Sequence, residues 1–199
     1  MLISPAVYAE RRARFFQALG GAAAVIPAAP LVTHHADCEW PFRQNSDFWY
    51  LTGFDEPDAV ALFLPHKPEG ERFVLVVNPK EPSAEVWHGF RWGCEGAVAQ
   101  FGADLAHPRS ELAQRLPEYL SGAEGIAFRV GKHPDVEPLV LQAWAGQLDR
   151  APRSGAAALG LEAIHQQALD HEQGRLGVAG VVQVTQLALG LTGADRQQI

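Results

Sequence analysis

The sequence predicts an α/β sandwich, a central sheet covered by helices on both faces. Three observations carry that expectation. Short continuous apolar runs at Ala22–Ile26, Ala59–Leu64 and Arg72–Val77 have the length and composition of strands buried on both faces. Between and around them, apolar residues recur at helical spacing. Strand-like and helix-like stretches alternate through the first three-quarters of the chain, the pattern of layered α/β domains.

Taken in order, Ser4-Pro5 marks a helix start, with Ser4 as cap and Pro5 at a position where its missing N–H costs nothing. Tyr8, Phe15, Phe16 and Leu19 fall on one stripe before Gly20-Gly21. Arg11, Arg12 and Arg14 read as the solvated face of that helix. The small apolar Ala22–Ile26 run is a central strand, closed by Pro27 and Pro30. His34-His35, Asp37 and Cys38 read as a polar loop, in preference to metal ligation or thiol activation. Arg43 to Asp47 also favours a loop, because its short polar side chains compete for backbone hydrogen bonds.

Phe48 to Thr52, rich in aromatic residues, predicts a half-buried strand that Gly53 breaks. Glu56-Pro57-Asp58-Ala59 is turn chemistry, with Pro57 suited to the second turn position. Buried strands follow at Ala59–Leu64 and Arg72–Val77, and a further short one is expected at Ala84–Trp87. Helices are expected at Cys94–Phe101, at Arg109–Leu120 with a kink or restart at Pro117, and around Leu139–Trp144. Gly125–Val130 is strand-like.

Composition excludes several classes. Hydrophobic content of 47% supports a real core, and a formal net charge of −7 gives no field that attracts polyanions, so nucleic acid is not an expected partner. Two cysteines, Cys38 and Cys94, suit a reducing compartment rather than a disulfide framework. Met1 to Leu19 bears arginines and lacks the uninterrupted apolar core of a signal peptide, and no apolar stretch reaches membrane-spanning length. The expectation is a soluble cytoplasmic protein with no membrane partner.

Arg-Gln-Asn-Ser-Asp-Phe-Trp-Tyr-Leu-Thr-Gly-Phe (Arg43–Phe54), followed by Glu-Pro-Asp-Ala, resembles the N-terminal domain of aminopeptidase P, the Xaa-Pro aminopeptidases of the creatinase and prolidase superfamily. Softer similarity extends from Tyr8 to about Trp144. The resemblance implies a three-layer sandwich with a mixed central sheet. It also implies assembly as a homo-oligomer or with a full-length aminopeptidase subunit, in which this domain borders a neighbouring subunit's substrate pocket. In the family an aspartate before the Arg-Gln-Asn-Ser-Asp run and a downstream tryptophan help to form that pocket. Those positions match Asp37 and Trp87 here. A carboxylate suits a peptide's ammonium group and an indole suits an apolar wall. The plain alternative makes Asp37 a loop residue and Trp87 a core aromatic. Arg43, Asn45 and Asp47 are read as structural, tying the loop to the sheet edge, with losses of about 1–3 kcal/mol expected for Arg43→Ala or Asp47→Ala.

Family catalysis belongs to a second domain that holds two metal ions, usually manganese, with aspartate, histidine and glutamate ligands. Residues 1–152 are assigned to the N-terminal domain and 153–199 to a linker and divergent tail. From Pro152 onward the chain has no aromatic residue and no lysine, and its seven glycines interrupt the apolar pattern. The tail's Glu162, His165, Asp170, His171, Glu172 and Asp195 do not reproduce the family's ligand order. The expectation is therefore a chain with no catalytic residue and no metal site of its own, a truncated or frame-shifted product inactive alone, or a stand-alone assembly module that pairs with full-length aminopeptidase. His88 with Cys94 has the residue types of a nucleophile and its base, but a buried structural thiol is the commoner case.

Overall fold

A computed structural model describes residues 3–35, 38–81 and 89–148. Within them a five-stranded sheet runs in the order β6-β5-β4-β1-β7. Its strands are β1 (Ala23–Pro27), β4 (Val60–Phe63), β5 (Phe73–Val77), β6 (Leu105–Pro108) and β7 (Ile126–Phe128). The central pairs β1–β4 and β4–β5 are antiparallel, and the outer pairs β5–β6 and β1–β7 are parallel. The sheet is mixed, as expected, and the three layers are present.

Strand alternation sends successive side chains to opposite faces. Ala24, Ala61, Phe63, Phe73, Leu75 and Val77 meet α1 (Pro5–Leu19), α2 (Ser46–Thr52) and α3 (Gly93–Phe101). Val25, Val60, Leu62, Val74, Val76 and Ile126 meet α4 (Leu112–Leu120) and α5 (Glu137–Leu148). A 3₁₀ turn, Arg109–Glu111, leads into α4, which runs through Pro117 without the expected restart. At the start of β5 the Asp104 carboxylate accepts the Arg72 and Phe73 amides at 2.9 and 2.8 Å, fixing where the strand begins.

Two local expectations are corrected. Phe48–Thr52 is the body of helix α2, not a strand. Phe48, Leu51 and Thr52 are buried at helical spacing, so the apolar stripe seats the segment as a helix against the sheet, and tertiary burial overrides aromatic β-propensity. Asn45 caps the helix through its backbone carbonyl, Asp47 lies in the first turn where negative charge is favourable, and Gly53 closes it in the left-handed region at φ 66°. A Cβ at Gly53 would lie 2.7 Å from the Tyr8 ring, so the glycine also lets α1 approach.

The second correction concerns the polar loop at His34-His35. Thr33–His35 (β2) and Cys38–Glu39 (β3) form a small exposed antiparallel hairpin. Strand β6 was not anticipated, because Leu105-Ala-His-Pro108 is short and only half-buried. The expected strand at Ala84–Trp87 and the domain boundary near residue 152 lie outside the described residues.

Candidate functional site

The turn from Phe54 to Asp58 joins α2 to β4 and lies against the exit of β1. Pro57 supplies the fixed φ of the second turn position, and Asp58 takes φ 60°, a left-handed conformation that aspartate tolerates better than most residues. Asp58 donates its amide to the Ala29 carbonyl, and its own carbonyl accepts Arg109 Nε at 2.9 Å. Arg109 continues to Asp135 at 2.7 Å, so the turn is tied to the loop before α5. Burial, reinforced by the nearby Asp135 charge, raises the Asp58 carboxyl above its ordinary value.

Gln44 is the residue that fastens the Arg43–Asp47 loop. Its Oε1 accepts the Ala29 amide at 2.8 Å and the Asn45 amide at 2.9 Å. Its Nε2 donates to the carbonyls of Phe54 and Glu56 at 3.2 and 3.0 Å. One side chain therefore joins β1's exit, the loop and the turn. Sequence reading passed over Gln44 because nothing in its type distinguishes it from its polar neighbours.

Of the three residues expected to do this work, Asn45 reaches the Pro27 carbonyl at 3.3 Å. Asp47 makes only a half-exposed pair with Arg129 at 3.8 Å. Arg43 is exposed, and its guanidinium bonds no described residue.

The arginines of α1 also depart from the solvated face expected for them. Arg12 is buried, donates to the Leu51 carbonyl at 3.2 Å and lies 4.4 Å from the Phe73 ring centroid. Burial lowers its pKa from the usual arginine value, though the side chain remains a cation. Arg11 donates to the Tyr50 carbonyl and stacks 3.9 Å from that ring. Arg14 alone fits the expectation, exposed and paired loosely with Glu10.

A cleft of about 450 Å³ opens beside the turn. Leu31, Phe42, Pro57 and Trp92 give it apolar surface, with Phe90 at its edge. Glu39 and Asp55 are exposed carboxylates on its lining. Deeper in, Arg91 pairs with Glu56 at 3.8 Å, their side chains 11% and 7% exposed, and Glu56 Oε1 accepts the Trp92 amide at 2.5 Å. That buried pair fixes the Phe90–Trp92 segment against the turn.

Asp37 and Trp87 both lie outside the described residues. Glu39 and Phe90 line the cleft. His34, weighed earlier with Asp37 and Cys38, packs edge-on against Trp40, and Cys38 is exposed on β3. Cys94 is half-buried in α3, where burial raises its thiol pKa, and His88 lies outside the described residues. Among the described residues no group of three His, Cys, Asp or Glu side chains converges as metal donors. The described residues therefore offer no cluster that could seat a two-manganese centre.

Comparisons with known proteins agree with this geometry. The family model of the aminopeptidase P N-terminal domain matches residues 8–127. An Escherichia coli Xaa-Pro aminopeptidase is 39% identical over 131 residues, 66% of this chain and 30% of its own length. Intermediate cleaving peptidase 55 of Saccharomyces cerevisiae is 33% identical over 131 residues, 63% of this chain and 25% of its own. A solved E. coli aminopeptidase P superimposes with a TM-score of 0.71 at 36% identity, over 80% of this chain and 37% of that one. Aminopeptidase PepP of Pseudomonas aeruginosa gives 0.70 at 33% identity, over 76% and 34%. The chain spans about a third of the length of these relatives. With a family model matching most of the described chain and the fold shared with solved relatives, this chain belongs to the aminopeptidase P N-terminal domain family.

Proposed function

We propose that this domain is the non-catalytic, recognition-side part of an Xaa-Pro aminopeptidase, one that borders the peptide site and takes part in subunit assembly. The observation that carries the reading is the match of residues 8–127 to the N-terminal domain of a family whose relatives are Xaa-Pro aminopeptidases. In this reading the bond-breaking chemistry resides in a second domain, where a manganese pair would supply an activated hydroxide. The described residues contribute binding and positioning only. Asp37 and Trp87 are assigned to the substrate border, Asp37 toward the peptide's free ammonium group and Trp87 as an apolar wall.

Assembly is supported by the exposed apolar residues Val32, Trp40 and Phe90, each more than half exposed. A reducing, cytoplasmic setting is supported by two unpaired thiols, Cys38 exposed and Cys94 half-buried. Among the described residues no helix is long and apolar enough to cross a membrane.

The test is an assay of the purified 199-residue chain with an Xaa-Pro peptide, with and without manganese and chelator, joined to metal analysis and light scattering. The expected result is no proline-specific cleavage, no stoichiometric metal pair and a defined oligomer. Cleavage by the chain alone overturns the non-catalytic assignment, and a strict monomer that ignores an added full-length aminopeptidase overturns the assembly role.

A further inference from the structure

Apolar floor and acidic rim occur together in the cleft beside the Phe54–Asp58 turn, and that combination selects a ligand. Leu31, Phe42, Pro57 and Trp92 supply the apolar surface, and at about 450 Å³ the space falls within the range of ligand pockets. Arg91 pairs with Glu56 inside the cleft, and Glu39 and Asp55 are the two exposed carboxylates on its lining. Neither carboxylate forms a hydrogen bond or ion pair with a described residue, so both are available to a cation. Lys80 stacks over the Phe90 ring at 4.8 Å and does not line the space.

Two parts of the wall, the turn and Trp92, are held by hydrogen bonds of the fold. Gln44 holds the turn from below, and the Glu56–Trp92 bond holds the Phe90–Trp92 segment against it. A fixed wall loses little freedom on binding, so modest contacts suffice for measurable affinity.

We propose that this cleft binds a peptide segment that presents a basic side chain beside an apolar one, the basic group between Glu39 and Asp55 and the apolar group over Phe42 and Trp92. The proposal rests on the reading that this domain borders a peptide site. It adds a charge preference away from the bond that is cut. Since Glu39 and Asp55 are exposed, their contribution is salt-sensitive.

The probe is N-acetyl-Phe-Arg-amide, titrated into the full 199-residue chain by calorimetry or tryptophan fluorescence. It has a blocked amine and no proline, so its failure to bind sinks the cleft proposal and leaves the Xaa-Pro reading to its own assay. Saturable binding in about the millimolar range is expected, about tenfold weaker for N-acetyl-Phe-Glu-amide and weaker again as salt is raised. The double variant Glu39→Gln with Asp55→Asn is expected to weaken the Arg peptide by about tenfold, and Phe42→Ala to weaken both peptides. Equal affinity for the two peptides, or an unchanged double variant, overturns the proposal. If the double variant fails to fold, the peptide comparison and salt dependence on the parent chain decide the question alone.

Discussion

One face of the sheet is packed with rings and the other with branched aliphatics, and the two faces do different work. Under α1, α2 and α3 lie Phe15, Phe48, Phe54, Phe63 and Phe73, with the buried Arg12 among them. Phe63 meets Phe15 and Phe16 edge-on and stacks on Phe73 at 5.2 Å. Under α4 and α5 lie mainly valines, leucines and Ile126, with Phe128 and Tyr119 the buried rings of this cluster. Polar chemistry is divided the same way. The ring face carries the Gln44 loop and adjoins the cleft, so its hydrogen bonds hold irregular backbone in place. The aliphatic face carries histidines at its margin: His66 donates to the Tyr119 carbonyl, and His107 shares a 2.6 Å bond with the Tyr119 hydroxyl. Rings tolerate a guanidinium and a bent loop above them because their faces attract cations, whereas an aliphatic wall offers no such compensation.

The largest expected effect tests the ring cluster directly. Phe63→Ala should cost about 3–5 kcal/mol in urea unfolding, above Leu62→Ala on the opposite face of the same strand, because edge-to-face contacts add to area burial. Equal losses would mean that the rings act only as bulk. Arg12→Ala should follow at about 2–4 kcal/mol, since it uncovers Phe73 and strands the buried Leu51 carbonyl. Arg14→Ala should stay within about 0.5 kcal/mol, as for an exposed pair, and a similar loss from both would restore the solvated-face picture of α1.

Gln44→Ala should lower stability by about 2–3 kcal/mol, because several backbone groups lose their partner at once. Arg43→Ala should fall within about 0.5 kcal/mol, against the larger loss its motif position suggests. A thermal melt of each variant ranks them, and a larger effect at Arg43 would move the anchor of the loop.

The smallest effect is a pH dependence that belongs to the aliphatic side. Burial lowers the pKa of His66, His107 and His133 below the ordinary 6.5. The unfolded chain then binds more protons than the folded one near that value. The associated stability is present above pH 6.5 and is lost as pH falls through it toward the lowered folded values. The melting temperature should therefore drop between about pH 7.5 and about pH 5.5, and His107→Gln should shrink the drop. Asp58, whose carboxyl is raised, acts in the opposite sense, its contribution being lost as pH rises through its folded value. A drop that His107→Gln leaves unchanged would detach the acid sensitivity from this face at His107.

The central sheet was legible in the chain because strands buried on both faces must be apolar without interruption, and Val60–Phe63 and Phe73–Val77 are. Helix α2 was misread for a related reason. Aromatic residues at Phe48–Tyr50 favour a strand locally, and only the shape of the sheet beneath selects the helical stripe of Phe48, Leu51 and Thr52. The loop motif was visible as a family signature, yet its anchor was not, since Gln44, Arg43 and Asn45 look alike until the partner carbonyls are in place. The cleft was not legible: Glu56 reads as ordinary turn chemistry, and only the fold brings Arg91 and the Trp92 amide to it.

Sequence alone therefore determined the layers, the strands buried on both faces and the family, because burial and motif order are written in residue type and spacing. Tertiary structure decided which polar side chain holds the loop, which arginine is buried and where an acidic rim meets an apolar floor. Those outcomes depend on contacts between residues far apart in the chain, such as Arg12 with Leu51 and Glu56 with Trp92, and the folded sheet is what brings them within reach.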